Sequence, residues 1–195
     1  MSEKNLIINH KRITYQGLFR TDEFFSILHR ALKEKGYAFR EKKSEELVTP
    51  SGRLLQLELR PSKNVSQYMA LMIKIHLTFD NVTDTTKQMA GVKQRFQQGD
   101  LQILFDAWSM TDYESRWGAK PLNYFLKGVI HKYIYKFPLE EGFMRQLVTD
   151  TVYIYNQVRN LLQSYEGKKI APMLEQEVIG KVEEEFLKRT EPDAA

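Results

Sequence analysis

The sequence predicts an α+β domain: an antiparallel sheet of about five to six strands, with one helix after strand 1 and two long C-terminal helices packed on one face. Strict alternation of apolar side chains over residues 69–80 indicates a strand with one dry face. Apolar stripes at helical spacing over 122–134 and 143–165 indicate the two long helices. The sequence shows no repeated βαβ units, which connect parallel strands, so a parallel sheet is not expected.

The first strand is expected over residues 6–18. Its apolar side chains change parity between Ile8 and Ile13, which predicts a bulge or bend. The first helix is expected to begin at Thr21, whose hydroxyl can cap the free amides of the first turn. Gly36 is expected to end this helix.

Further strands are expected at 37–48, 53–60, 69–80, 85–96 and 101–110. The segment Thr49-Pro50-Ser51-Gly52 has the composition of a tight turn between the first two. The segment Gln97-Gln98-Gly99-Asp100 is expected to be the hairpin turn that joins the last two.

The C-terminal part is predicted to be helical. Pro121 suits the first position of a helix over 121–136, and a longer helix is expected over 139–165. The apolar arc of the longer helix is unusually wide, so more than one surface should cover it: sheet, helix, ligand or a second copy of the chain. We interpret residues 1–167 as a single domain and 168–195 as a short amphipathic helical tail with a loose C-terminus.

Composition excludes several classes of function. The 42% hydrophobic content favours a folded domain, and the absence of cysteine excludes disulfides, thiolate metal sites and cysteine nucleophiles. No cofactor or metal is expected, because glycine-rich nucleotide motifs are missing and the four histidines lack ligand spacing. No segment has the roughly 20 apolar residues that span a bilayer, so we expect no membrane insertion and a cytoplasmic location.

The order of elements over residues 6–165 is similar in outline to helix-grip domains of the START and plant-allergen type, in which a curved sheet wraps a long helix. The sequence departs from that pattern in having one helix after the first strand and an additional helix over 121–136. The resemblance implies a cavity between the sheet and the last helix for an apolar or amphipathic molecule.

Three groups of side chains are candidates for ligand binding, and each also has a purely structural interpretation. The first group, on the mixed face of the sheet, could exchange protons if its members lie close together: His76 and Asp106. The second is aromatic and charged, or else fills the seam between sheet and helices: Trp108, Asp112, Tyr113, Arg116 and Trp117. The third is a row on the long helix, or else ordinary core: Met144, Val148 and Val152.

The main functional hypothesis is a non-catalytic domain that binds a small apolar or amphipathic ligand in that cavity. One alternative is an interaction module that self-associates through the C-terminal helices or binds nucleic acid through a basic surface. That surface includes Lys87, Lys93 and Arg95, with Tyr15, Tyr37 and Phe39 as stacking groups. A second alternative is an enzyme that uses acid–base chemistry on a small substrate, so catalysis is left open.

Overall fold

Six strands and three helices form the part of the chain that the computed structural model describes, which is residues 3–50, 52–66, 69–89, 92–111, 138–166 and 172–190. The strands are β1 (Glu3–Phe19), β2 (Glu41–Thr49), β3 (Gly52–Leu59), β4 (Ser62–Asn64), β5 (Met69–Met89) and β6 (Val92–Thr111). The helices are α1 (Thr21–Glu34), α2 (Pro138–Glu166) and α3 (Glu175–Thr190). The predicted α+β class with an antiparallel sheet is confirmed.

The strands form one sheet in the order β1-β6-β5-β3-β2, with β4 paired to β5 beside this path. Every pairing is antiparallel. The first strand therefore lies beside the last one, and β2 is an edge strand. The predicted turn at 49–52 is confirmed as the connection between β2 and β3, where Thr49 pairs with Gly52.

One face of the sheet, here called the inner face, forms the core with the helices. The alternating apolar residues that predicted it are buried on β5 and on β6. They are Met69, Leu71, Ile73, Ile75, Leu77 and Phe79 on β5, and Leu101, Ile103, Phe105 and Ala107 on β6. The opposite, outer face carries the intervening polar and mixed side chains, as the alternation predicted.

The predicted hairpin turn at residues 97–100 is wrong. Gln97 pairs with Asp84 and Asp100 pairs with Asp80, so this segment lies inside β6, and the ladder continues to the pair Met89–Val92. Gly99 lies where the backbone of β5 comes close to β6, and not in a turn. A Cβ atom at this position would lie 2.8 Å from the Asp80 carbonyl oxygen. The register of the ladder shifts at this point, between Asp80 and Thr83.

The predicted bulge in β1 is confirmed. Two residues, Asn9 and His10, stand opposite Asp106 between the pairs Ile8–Ala107 and Lys11–Phe105. His10 takes a φ of 49°, a conformation that residues other than glycine rarely adopt.

α1 follows β1 and packs through Phe24 on the Phe79 ring, with the ring centroids 5.7 Å apart. Thr21 is its first helical residue and not its cap. The side chain of Gln97 accepts the Thr21 amide hydrogen at 3.1 Å instead. The helix ends before Gly36, whose φ of 77° suits glycine.

α2 lies across the inner face and contacts β1, β5, β6, α1 and α3. Its wide apolar arc is therefore covered by elements of the same chain. α3 packs on α2 and β1 through Met173, just before its start, and Val178, whereas Leu174 is exposed. The predicted helix over 121–136 lies outside the described residues.

Candidate functional site

The outer face brings together three of the candidate residues. The pairing of β5 with β6 places Lys74 opposite Asp106, His76 opposite Leu104, and Met72 opposite Trp108. Because side chains at alternate positions share a face, His76, Asp106 and Trp108 lie on one face of two neighbouring strands.

Asp106 is held by the bulge of β1 rather than by His76. The His10 amide donates a hydrogen bond of 2.7 Å to Asp106 Oδ1, and His10 Nδ1 lies 3.4 Å from the same oxygen. Asp106 is only 5% exposed, so this contact compensates a carboxylate that is largely removed from water. Sequence reasoning found the bulge but not the role of His10 in it.

His76 contacts a different carboxylate, with its Nε2 atom 3.5 Å from Glu58 Oε2 on β3. Burial and the Lys74 charge lower the pKa of His76 and outweigh the opposing charges of Glu58 and Asp106. Burial acts to raise the pKa of Glu58, but the hydrogen bond and charge of Arg60 with the neighbouring cations hold it below its usual value. A neutral imidazole beside an ionised carboxylate can accept a proton from a ligand.

Trp108 is the one member of the aromatic and charged group that lies within the described residues. The Trp108 indole N–H is buried without a hydrogen-bond acceptor in the part of the chain that the structure describes. The other four candidates lie outside the described residues: Asp112, Tyr113, Arg116 and Trp117.

The third candidate group lies in the hydrophobic core. Met144, Val148 and Val152 form a row at four-residue spacing on α2, and all three are buried. The direction of α2 over the sheet follows from two ring contacts. Tyr165 meets Phe96 at 6.3 Å and Tyr155 meets Phe105 at 5.6 Å, so α2 runs antiparallel to β6.

This direction places the row over the end of β6. The contact of Asp150 with Lys63 supports this placement, because Lys63 pairs with Leu71 on β5 and Leu71 pairs with Ser109 on β6. The inner face of β6 carries small side chains there, Ala107 and Ser109. We call this region, defined by Ala107, Ser109, Met144, Val148 and Val152, the small-residue half of the core.

Another part of the core, next to α1, contains a cluster of large rings. Phe79 is 5.7 Å from both the Phe19 and Phe24 rings and 6.1 Å from Phe25. Phe19 and Phe24 have no exposed surface. We call this region, defined by Phe19, Phe24, Phe25 and Phe79, the aromatic half. Exposure does not distinguish the two halves, because Met144 and Val152 are 9% and 7% exposed and Phe25 is only partly buried. They differ in the size of the side chains that the sheet contributes.

A buried polar cluster that sequence reasoning missed holds α2 to α1 and β4. Lys63 Nζ donates to Asp150 Oδ2 at 2.9 Å, and Lys35 Nζ lies 3.8 Å from Asp150 Oδ1. Burial, with the Asp150 charge, raises the pKa of Tyr37, so its hydroxyl stays protonated. An acidic residue on the apolar arc of the helix, between Leu147 and Ile154, is the sequence signal that could have identified this cluster.

A cleft opens where α1 begins beside the far end of the β5–β6 ladder. Its volume is about 700 Å³. The described residues that line it are all polar or charged: Arg20, Asp22, Asp84, Thr85, Thr86, Lys93, Gln94, Arg95 and Gln97. We call it the basic cleft. Two of the expected nucleic-acid stacking groups, Tyr15 and Tyr37, are buried core residues instead.

The described residues contain no group of three or more acidic or histidine side chains arranged to hold a metal ion. None of the described helices is long and apolar enough to cross a membrane. The sequence matches no protein-family model, and neither the curated proteins nor the solved structures compared with it give a match.

Proposed function

We propose that the protein is a non-catalytic binding domain that holds a small apolar or amphipathic molecule between the sheet and the N-terminal half of α2. The observation that carries this proposal is the small-residue half of the core. Short side chains on β6, Ala107 and Ser109, lie beneath an aliphatic row on α2. Such side chains occupy less of the space between the sheet and the helix than large ones would, and this is where we place the ligand.

The strand order supports the proposal independently. β1 lies beside β6, and a long C-terminal helix crosses the face that these strands share with β5. These features are compatible with the helix-grip outline that we propose, in which a ligand lies between sheet and helix. Fold likeness alone does not establish function, so the argument rests on the side chains.

The residues at this site favour a ligand with one polar end. Lys11 pairs with Phe105, which places it on the inner side of the edge strand β1, and it is half-buried. Its ammonium group could bind a carboxylate while the apolar part of the ligand packs against Met144 and Val148. Methionine suits such a site because its unbranched side chain adapts to different shapes.

The test is the binding of dansyl-undecanoic acid, an amphipathic fluorescent probe, to the wild type and three variants. Val148→Trp fills the region from the helix, and Ala107→Ile fills it from the sheet. Gln146→Trp adds the same indole at an exposed position of α2 and is the matched control.

We expect saturable binding at one site, a loss of at least about tenfold in Val148→Trp and Ala107→Ile, and no change in Gln146→Trp; tenfold corresponds to about 1.4 kcal/mol. Wild-type protein that binds no probe would refute the proposal. Filling variants that bind as the wild type does and change only the free energy of unfolding would refute it equally.

A further inference from the structure

We propose that the basic cleft is a second binding site, for a small phosphorylated polyol such as a sugar phosphate. The cleft volume of about 700 Å³ lies within the range of small-molecule sites, roughly 300–1,000 Å³. It lies at the start of β6, whereas the small-residue half lies near its end, so the two proposals can fail separately.

The charges that line the basic cleft do not cancel. Asp84 is paired with Arg53, which lies outside the cleft lining, at 2.7 Å. Lys93 and Arg95 are exposed and form no ion pair with any residue that the structure describes. Arg20 is likewise paired, with Glu23 outside the lining at 3.8 Å. The cleft therefore keeps two cations, Lys93 and Arg95, against the single carboxylate of Asp22.

The strand register brings these cations together. Lys93, Arg95 and Gln97 occupy alternate positions of β6 and so share a face. Gln97 also accepts the Thr21 amide hydrogen, and this contact ties the ladder to α1 next to Arg20. That amide is already occupied, so recognition of an anion comes from the side chains. A guanidinium group binds two phosphate oxygens at once and an ammonium group binds phosphate as a point charge, which makes phosphate a fitting partner for Arg95 and Lys93.

The uncharged residues that line the cleft indicate the chemistry of the part of the ligand that carries no phosphate. Thr85, Thr86 and Gln94 offer hydroxyl and amide groups, which suit the hydroxyls of a sugar. No aromatic side chain is among the described residues of the lining, and single-stranded nucleic acids are usually held by stacking of bases on such side chains. The chemistry therefore favours a sugar phosphate over a nucleotide or an oligonucleotide.

Calorimetric titration with glucose 6-phosphate tests the proposal, with glucose and a single-stranded oligonucleotide as comparison ligands. The cleft variant carries Lys93→Gln and Arg95→Gln. The matched control carries Lys42→Gln and Lys43→Gln on the exposed edge strand β2, which removes the same charge elsewhere. All four side chains are exposed, so both variants should fold, as circular dichroism would verify.

We expect one glucose 6-phosphate per chain, no binding of glucose, and a loss of at least about tenfold in the cleft variant only, since this variant removes the charge-assisted hydrogen bonds to the phosphate. No binding of glucose 6-phosphate would overturn the proposal. An equal loss in both variants, or an affinity for the oligonucleotide that exceeds that for glucose 6-phosphate, would assign the basic surface to nonspecific or nucleic-acid binding and overturn it as well.

Discussion

The two halves of the core differ in how they are filled. In the aromatic half, Phe79 meets three other phenylalanine rings, and Phe19 and Phe24 are completely buried. In the small-residue half, the short side chains of Ala107 and Ser109 lie below the aliphatic row of α2. Both halves belong to one hydrophobic core and lie on the same face of one sheet.

Under the proposed function, the two halves would contribute differently to stability and to ligand binding. Interlocked rings give dense packing and most of the burial free energy, but they leave no space for another molecule. Short side chains contribute less to stability and can accommodate a ligand. Substitutions in the aromatic half should therefore change mainly stability, and substitutions in the small-residue half should change mainly ligand binding.

The largest expected effect is the loss of a ring from the aromatic half. Phe79→Ala should lower the free energy of unfolding by about 3–5 kcal/mol, because it removes a fully buried ring and leaves a cavity. Val152→Ala in the small-residue half removes two methyl groups and should cost about 1–2 kcal/mol. Urea unfolding measures both values, and equal losses would contradict the distinction between the halves.

The buried polar cluster fixes α2 to β4 beside the small-residue half, and its loss should be nearly as costly. Asp150→Ala should destabilise the protein by about 3 kcal/mol, because Lys63 would be left buried without its partner. The double variant Asp150→Leu with Lys63→Met should recover a large part of that loss. A double variant as unstable as Asp150→Ala would show that the unpaired charge is not the cause.

The register of β5 against β6 decides which side chains reach the core, and Gly99 lies where this register shifts. Gly99→Ala should cost about 2 kcal/mol, because the new Cβ atom would meet backbone of β5. Gly142→Ala on α2 meets nothing within 4 Å and should stabilise the helix by up to about 1 kcal/mol. Thermal unfolding measures both, and a neutral Gly99→Ala would contradict the close approach.

The smallest effect is expected on the outer face, away from both halves. The pKa of His76 is lowered in the folded protein, so between its unfolded value near 6.5 and its lower folded value only the unfolded chain binds the proton. Stability should therefore decrease as the pH falls through this window. His76→Asn should flatten that decrease in urea unfolding experiments without changing probe binding. An unchanged slope would contradict the assignment.

The sequence predicted the strand faces well, because alternation over β5 and β6 reflects local burial directly. The parity change in β1 likewise predicted a bulge that the pairing of Ile8 and Lys11 with β6 confirms. The position of the β5–β6 turn was wrong, because Gly99 fits a turn and a tight bulge equally well. Only the pairing partner distinguishes the two, and pairing is not local.

The candidate sites could be predicted only in part, because alternation is a local pattern and the contacts between distant residues are not. Alternation placed His76, Asp106 and Trp108 on one face, but it could not tell which carboxylate His76 contacts. The contact of His10 with Asp106 spans 96 residues of sequence, and that of Lys63 with Asp150 spans 87. The basic cleft arises where α1 meets the β5–β6 ladder, so no single segment indicates it.

The most direct test of the proposed binding function is a native mass spectrum of the untagged, freshly purified protein. We predict a monomer heavier than the 23.0 kDa of the chain by the mass of a small molecule, which is lost on denaturation. Val148→Trp should lack the additional mass. A bare monomer, or a clean dimer without additional mass, would contradict a ligand between the sheet and α2.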